Sequence, residues 1–109
     1  MKVLFDQGTP APLRKALGTH AVITAYELGW SELQNGALIA AAEKDGFEVF
    51  VTTDRNLKYQ QNLSQRHIAI VVLLTTSWPR IQRVLPAVVE AVNAAVPGSY
   101  QEVSAKSAA

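Results

Sequence analysis

The sequence predicts a three-layer α/β/α domain built on a mostly parallel sheet of four to five strands. Three observations lead there. Short apolar runs alternate along the chain with segments of helical periodicity. Two of those runs, Phe47 to Thr52 and Ile68 to Leu74, show almost no polar alternation, as strands covered on both faces should. Gly and Pro punctuate the boundaries between them. Parallel neighbours need a crossover connection, expected to be right-handed, so helices belong on both faces of the sheet.

Met1 to Phe5 is a short apolar strand ended by Asp6. The following Gly8-Thr9-Pro10 predicts a turn with Thr9 as N-cap and Pro10 at the first helical position. A helix over Ala11 to Leu17 stops at Gly18, and the β-branched content of His20 to Tyr26 predicts a second strand. Leu33, Ala37, Leu38, Ala41 and Ala42 recur at helical spacing in a segment ending at Lys44, closed by Gly46. The strand Phe47 to Thr52 then runs into Thr53-Asp54. A polar stretch with a short helix around Leu57 to Leu63 separates it from the strand Ile68 to Leu74. Ile81, Val84, Leu85, Val88, Val89 and Val92 form one apolar stripe on a helix predicted over Arg80 to Ala95 with Pro79 at its start. Tyr100 to Val103 is expected as an edge strand. Residues 1–103 thus read as a single domain, and 104–109 as a flexible tail.

Composition narrows the function classes. The chain has 109 residues, 49% of them hydrophobic and 17% charged, which is enough for one domain with its own core. There is no cysteine, which excludes disulfides and thiolate zinc sites. No apolar run approaches the roughly 20 residues of a membrane helix, and the opening MKVLFDQ reaches a charge too early for a signal peptide. A cytoplasmic protein with no membrane association is expected. The formal net charge is +1, so any nucleic-acid surface must gather its basic residues locally.

In open α/β sheets, sites lie outside the carboxyl ends of the strands. Asp6, Asp54 and the run Thr75-Thr76-Ser77 are the polar residues that end predicted strands on that edge. Two carboxylates meeting there repel one another unless a divalent cation neutralises them. Magnesium suits such a pair, because it is held by one or two protein carboxylates with water and substrate phosphate completing its shell. The competing explanation is local: Asp6 caps the turn after the first strand, and Asp54 caps the polar segment after the third.

Taken together, MKVLFDQGTP, the segment ELGWSELQNGALIAAAEKDGFEVFVTTDRNLKYQQNL and the stretch RHIAIVVLLTTSWP resemble the PIN-like nuclease domains, in particular a short bacterial branch related to toxin ribonucleases. The resemblance runs from Met1 to about Glu102. It implies a PIN-like fold and a hydrolase that uses Mg2+ or Mn2+ to cleave RNA, possessing a small antitoxin protein as partner if it is a toxin. The acids at the tips of the first and third strands fall on Asp6 and Asp54, and the family's carboxylate on the intervening helix falls on Asn35. Gln7 and Asn56 also stand where relatives often carry acids. The resemblance therefore makes Asp6, Asp54 and Asn35 the catalytic set, and Asp6, Asp54 and Asn56 the metal ligands. An Asn carbonyl ligates a hard ion without adding charge, so one ion is expected rather than two.

Arg55, Lys58, Tyr59, Gln61 and Thr75 are the candidate RNA contacts. The amide-rich stretch Tyr59 to Asn62 offers stacking and hydrogen-bonding groups for unpaired bases, while Arg55, Lys58 and Arg66 suit phosphate. Trp78 reads as a packing residue. Trp30, in a Gly-Trp-Ser loop, reads as a candidate contact for a homodimer or partner. His20 and His67 precede strands at the opposite end of the sheet, and Glu27, Glu32, Glu43 and Asp45 read mostly as solvated acids. Two alternatives compete with the nuclease. One is a PIN-like module that binds RNA or protein without turnover. The other is a receiver-like phosphoacceptor using Asp54 and Thr75, which lacks a lysine after a fifth apolar strand and has a single acid after the first.

Overall fold

The structure, a computed structural model, describes residues 1–57 and 66–104, with Asn35 described by its backbone alone. The short helix expected around Leu57 to Leu63, the predicted contacts Lys58, Tyr59 and Gln61, and the last five residues of the expected tail lie outside the described residues. The strands are β1 (Lys2–Phe5), β2 (Ala21–Thr24), β3 (Val49–Thr52), β4 (Ala69–Leu73) and β5 (Tyr100–Val103). They form one sheet in the order β2-β1-β3-β4-β5, every neighbouring pair parallel. The helices are α1 (Leu13–Ala16), α2 (Asn35–Lys44), α3 (Trp78–Arg83) and α4 (Leu85–Asn93).

Successive side chains of a strand point to opposite faces, and here both directions are apolar. Val3 and Phe5, Val49 and Val51, and Ala69, Val71 and Leu73 pack with Leu13 and Leu17 from the α1 segment, Ile81 of α3 and Val88 and Val92 of α4. Leu4, Phe50, Ile70 and Val72 pack on the other side with Leu38, Ile39 and Ala42 of α2. The result is the expected three-layer α/β/α arrangement. Phe5, Phe50 and Ile39 are fully buried, each contributing roughly 1.5–3 kcal/mol through the apolar surface it removes from water.

The connections do not all share one hand. The β1–β2 and β2–β3 connections step in opposite directions across the sheet and cover opposite faces, so they have the same hand. The β4–β5 connection steps in the same direction as β2–β3 but lays α3 and α4 on the α1 face. Its hand is therefore opposite to that of the first two, a departure from the uniform right-handedness expected of parallel crossovers.

Two predicted helices are also corrected. The helix expected over Arg80 to Ala95 is two helices meeting at Val84, whose φ of -121° and ψ of 22° leave the helical range. Pro86 has no N–H for the carbonyl of Gln82, and its ring crowds that carbonyl, so the chain restarts at Leu85. The first helix begins at Leu13 and not at Ala11: Pro12 is its N-cap residue, and Leu13 N–H bonds back to Pro10 in a tighter turn. Thr9 does not cap it.

One acid ties two successive connections together. Glu43, near the end of α2, accepts from Arg66 Nη1 at 2.9 Å and from the backbone N–H groups of His67 at 2.7 Å and Ile68 at 3.3 Å. Sequence reading placed Glu43 among solvated acids; it instead secures the chain as it turns into β4. Partial burial alone would raise its pKa, but the His67 N–H, the Arg66 guanidinium and the Ile68 N–H together hold it below the ordinary glutamate value. Because the folded-state pKa is depressed, its stabilisation is present above the unfolded value and is lost as the pH falls through the folded one. Glu43→Ala is expected to cost about 1–3 kcal/mol at neutral pH, read from urea denaturation, by stripping two backbone donors of their acceptor. Glu43→Gln should flatten the acid limb of the stability-versus-pH curve; an unchanged limb would show that Glu43 does not drive it.

Candidate functional site

The strand order 2-1-3-4-5 places a switch point between β1 and β3, since the chain leaves β1 towards one edge and returns past it towards the other. The segments that leave the carboxyl ends of these two strands go to opposite faces, α1 to one and Leu57 to the other, and in open α/β sheets ligands bind at such a point. Phe5 pairs with Val51, so the next residues on each strand, Asp6 and Thr52, lie side by side there. By strand alternation they share the face of Leu4 and Phe50, which α2 covers, and the α2 backbone begins at Asn35 on this same edge of the sheet.

Asp6 is held at both oxygens. Thr9 Oγ1 donates to Oδ1 at 2.7 Å, and Thr52 Oγ1 donates to Oδ2. The Thr9 proton is shared with the carbonyl of Val51 at 3.0 Å, and Asp6 N–H reaches the same carbonyl at 3.1 Å. Thr9, predicted as a helix cap, thus serves the carboxylate. Both hydroxyls belong to buried residues, Thr52 with no exposed surface and Thr9 with 7%. Among the described residues no basic side chain pairs with Asp6. Neutral hydroxyls orient a carboxylate without cancelling its charge, and each of its oxygens retains a lone pair.

The Thr52 hydroxyl also accepts from Asp54 N–H at 3.1 Å. One buried side chain therefore fastens the Asp6 carboxylate and the Asp54 backbone together. Asp54 Oδ1 accepts from Asn56 N–H at 3.0 Å, the local capping turn that competes with a ligand role. The loops are pressed close: a Cβ on Gly8 would meet Thr53 Oγ1 at 2.6 Å. Gly8 is thus required by proximity and not by its backbone angles.

The other sequence candidates divide. Arg55 and Asn56 are exposed on the turn after Asp54. Thr75 lies beyond β4, where its hydroxyl accepts from Ser77 N–H at 3.0 Å, and Ser77 in turn caps α3. Trp78 packs against the core as expected. Trp30, read as a candidate partner contact, is half-buried and packs edge-on against Phe47 with ring centroids 6.2 Å apart. His20 bridges Asn93 and the Met1 amine at the opposite edge, and His67 is there too, so neither histidine joins the site. Among the described residues no group of three or more His, Asp or Glu side chains that could hold a metal ion gathers.

The positions missed by sequence reading are Gly8, whose role is a close approach between loops distant in sequence, and Tyr26, which is 75% exposed on the turn after β2. Sequence reading placed Tyr26 as the last residue of a strand over His20 to Tyr26, whereas β2 ends at Thr24 and leaves Tyr26 on the turn beyond it.

Two outcomes follow. Thr52→Val keeps the volume of a buried strand residue but removes the hydroxyl that joins Asp6 to Asp54, so it should cost about 1–3 kcal/mol, while Thr52→Ser retains most of the stability; equal denaturation midpoints for the two variants would dismiss the hydroxyl as the joint. Gly8→Ala should cost about 1–3 kcal/mol by crowding Thr53, and Thr53→Ala should recover part of it in a double-mutant cycle.

Comparison of the chain with protein-family models, with curated proteins and with solved structures returns no match.

Proposed function

We propose that the chain is a metal-dependent nuclease that hydrolyses RNA phosphodiesters, with Asp6 and Asp54 as its carboxylates. The observation that carries the proposal is the buried Thr52 hydroxyl, which fixes the Asp6 carboxylate and the Asp54 backbone to one another at the sheet's switch point. The donor set fits a hard divalent cation such as Mg2+ or Mn2+: carboxylate oxygens on a rigid rim, one of them partly buried and balanced by hydroxyls alone. Asp6 and Asp54 would hold the ion, with the carbonyl of Asn56 as a neutral helper. When bound, it supplies charge for the phosphate oxygens and lowers the pKa of a coordinated water.

The chain's own groups have definite tasks. Thr9 and Thr52 keep Asp6 from swinging towards solvent, so its orientation is set before substrate arrives. The turn after β3 carries Arg55 at the surface, where its guanidinium can pair with a flanking phosphate. Gly8 lets the loops after β1 and β3 close on each other, which keeps the rim narrow. The likeness to PIN-like domains adds the expectation of an RNA substrate, and that of a toxin with an antitoxin partner.

A second reading, an RNA-binding module without turnover, is favoured by the amide residues Asn35 and Asn56 at positions where the resemblance leads one to expect acids. Each replaces a charge that would help to hold the ion.

The purified chain should cleave single-stranded RNA with Mn2+ or Mg2+ and stop when EDTA is added. Asp6→Asn and Asp54→Asn should each lower the rate by about 100-fold or more while thermal melting shows the fold intact. Binding without cleavage at saturating Mn2+ would establish the second reading. Cleavage that survives both substitutions would overturn the assignment of the site.

A further inference from the structure

Tyr26 is the most exposed of the large hydrophobic side chains among the described residues, yet the turn that carries it is firmly bonded. Thr24 and Glu27 cap one another: Thr24 N–H donates to Glu27 Oε1 at 2.9 Å, and Glu27 N–H donates to Thr24 Oγ1 at 3.1 Å. Arg14 of α1 pairs with the same Glu27 carboxylate, and this guanidinium, with the Thr24 N–H, holds the Glu27 pKa below its ordinary value. Leu28 N–H bonds to Thr24, Gly29 N–H to Tyr26 and Trp30 N–H to Ala25. An aromatic ring on a floppy loop would collapse onto nearby apolar surface; this backbone is braced on both sides of the ring.

Its place matters as much as its exposure. Thr24 pairs with Phe5, and Ala25 N–H bonds to the Phe5 carbonyl at 2.8 Å, so Tyr26 follows β2 on the rim where Asp6 follows β1. Along that rim the strand order sets Tyr26, then Asp6, then Asp54 and Arg55. Adjacent strands are about 5 Å apart, which puts β2 about 10 Å from β3. That is the scale of a nucleotide and its neighbour. A side chain used for protein docking sits within an apolar patch sealed from water, whereas Tyr26 stands between buried Ala25 and the exposed, charged Glu27.

We infer that Tyr26 is a stacking platform for an unpaired base of the substrate, holding the nucleotide beside the one whose phosphate faces Asp6 and Asp54. The inference rests on the nuclease reading above and adds a residue to it that supplies affinity and strand preference. Stacking on an aromatic face tolerates any base but requires that the base be unpaired. The site should therefore favour single strands over duplexes, with little sequence preference from this residue.

The test uses the full chain, with and without Asp54→Asn to suppress turnover, and a fluorescein-labelled single-stranded RNA carrying 2-aminopurine. Tyr26→Ala should weaken binding of the single strand by about fivefold to a hundredfold, whereas Tyr26→Phe and Tyr26→Trp should bind like the parent. The 2-aminopurine should be quenched by the parent and by Tyr26→Phe, but not by Tyr26→Ala. Binding of the same sequence as a duplex should be unchanged. Should the parent bind and cleave the single strand while Tyr26→Ala matches it in affinity and quenching, the platform is refuted and the nuclease stands. Should the parent neither bind nor cleave RNA, both fall. A Tyr26→Ala chain that keeps its RNA affinity but loses self-association in sedimentation would reassign the ring to a protein contact.

Discussion

In an all-parallel sheet every strand points the same way, so each connection must travel back over a face, and every loop leaving a strand's carboxyl end emerges at one rim. This constraint organises the molecule. It forces both faces to be covered, which is why Leu4, Phe50, Ile70 and Val72 are as apolar as Val3, Val51 and Val71. It also delivers Asp6, Tyr26, Asp54 and Thr75 to a common edge, although the sequence separates them widely. The β1/β3 switch point then singles out, from that row, the pair of loops that leave towards opposite faces.

At this switch point the energetics turn on one hydroxyl. Thr52 is fully buried, so its Oγ1 has no water to fall back on and must be satisfied by protein. It spends its proton on Asp6 and a lone pair on Asp54 N–H. Such a joint is rigid because neither partner can move without leaving a buried polar group unpaired. The same bond places the Asp54 backbone, and the local turn adds a bond from Asn56 N–H to Asp54 Oδ1.

Much of the fold was legible in the sequence. The uniformly apolar runs marked β3 and β4 as strands buried on both sides, and the helical spacing from Leu33 to Lys44 marked α2, which begins at Asn35. The break at Val84 was hidden because the apolar stripe runs through it, while the disruption comes from Pro86, whose missing N–H and crowding ring a periodicity count ignores. Thr9 read as a cap because Thr before Pro is a common helix start, but the buried carboxylate competed for its hydroxyl. The placement of Asp6 and Asp54 followed from strand ends; the link between them did not, because a threonine in a strand reads as β propensity until its partner is seen. Gly8 read as part of a turn and Tyr26 as part of a strand, but neither the close approach at the one nor the exposure of the other left a pattern. Their significance lies in contacts and exposure created by the topology.

The two edges of the sheet show what distinguishes an acid that holds the fold from one available to a ligand. At the amino edge, Glu43 is engaged by a guanidinium and two backbone N–H groups, and its carboxylate is stabilised from within the protein. Lys2 and Asp45 are likewise paired at that edge. At the carboxyl edge, Asp6 is partly buried, yet it faces two hydroxyls and, among the described residues, no cation. Burying a carboxylate costs free energy that hydroxyl donors offset only in part, because they provide dipoles and no opposite charge. A divalent ion would supply the missing charge where the fold has oriented the Asp6 oxygens, and this asymmetry between the edges favours the switch-point rim over the amino edge as the place for the proposed metal site.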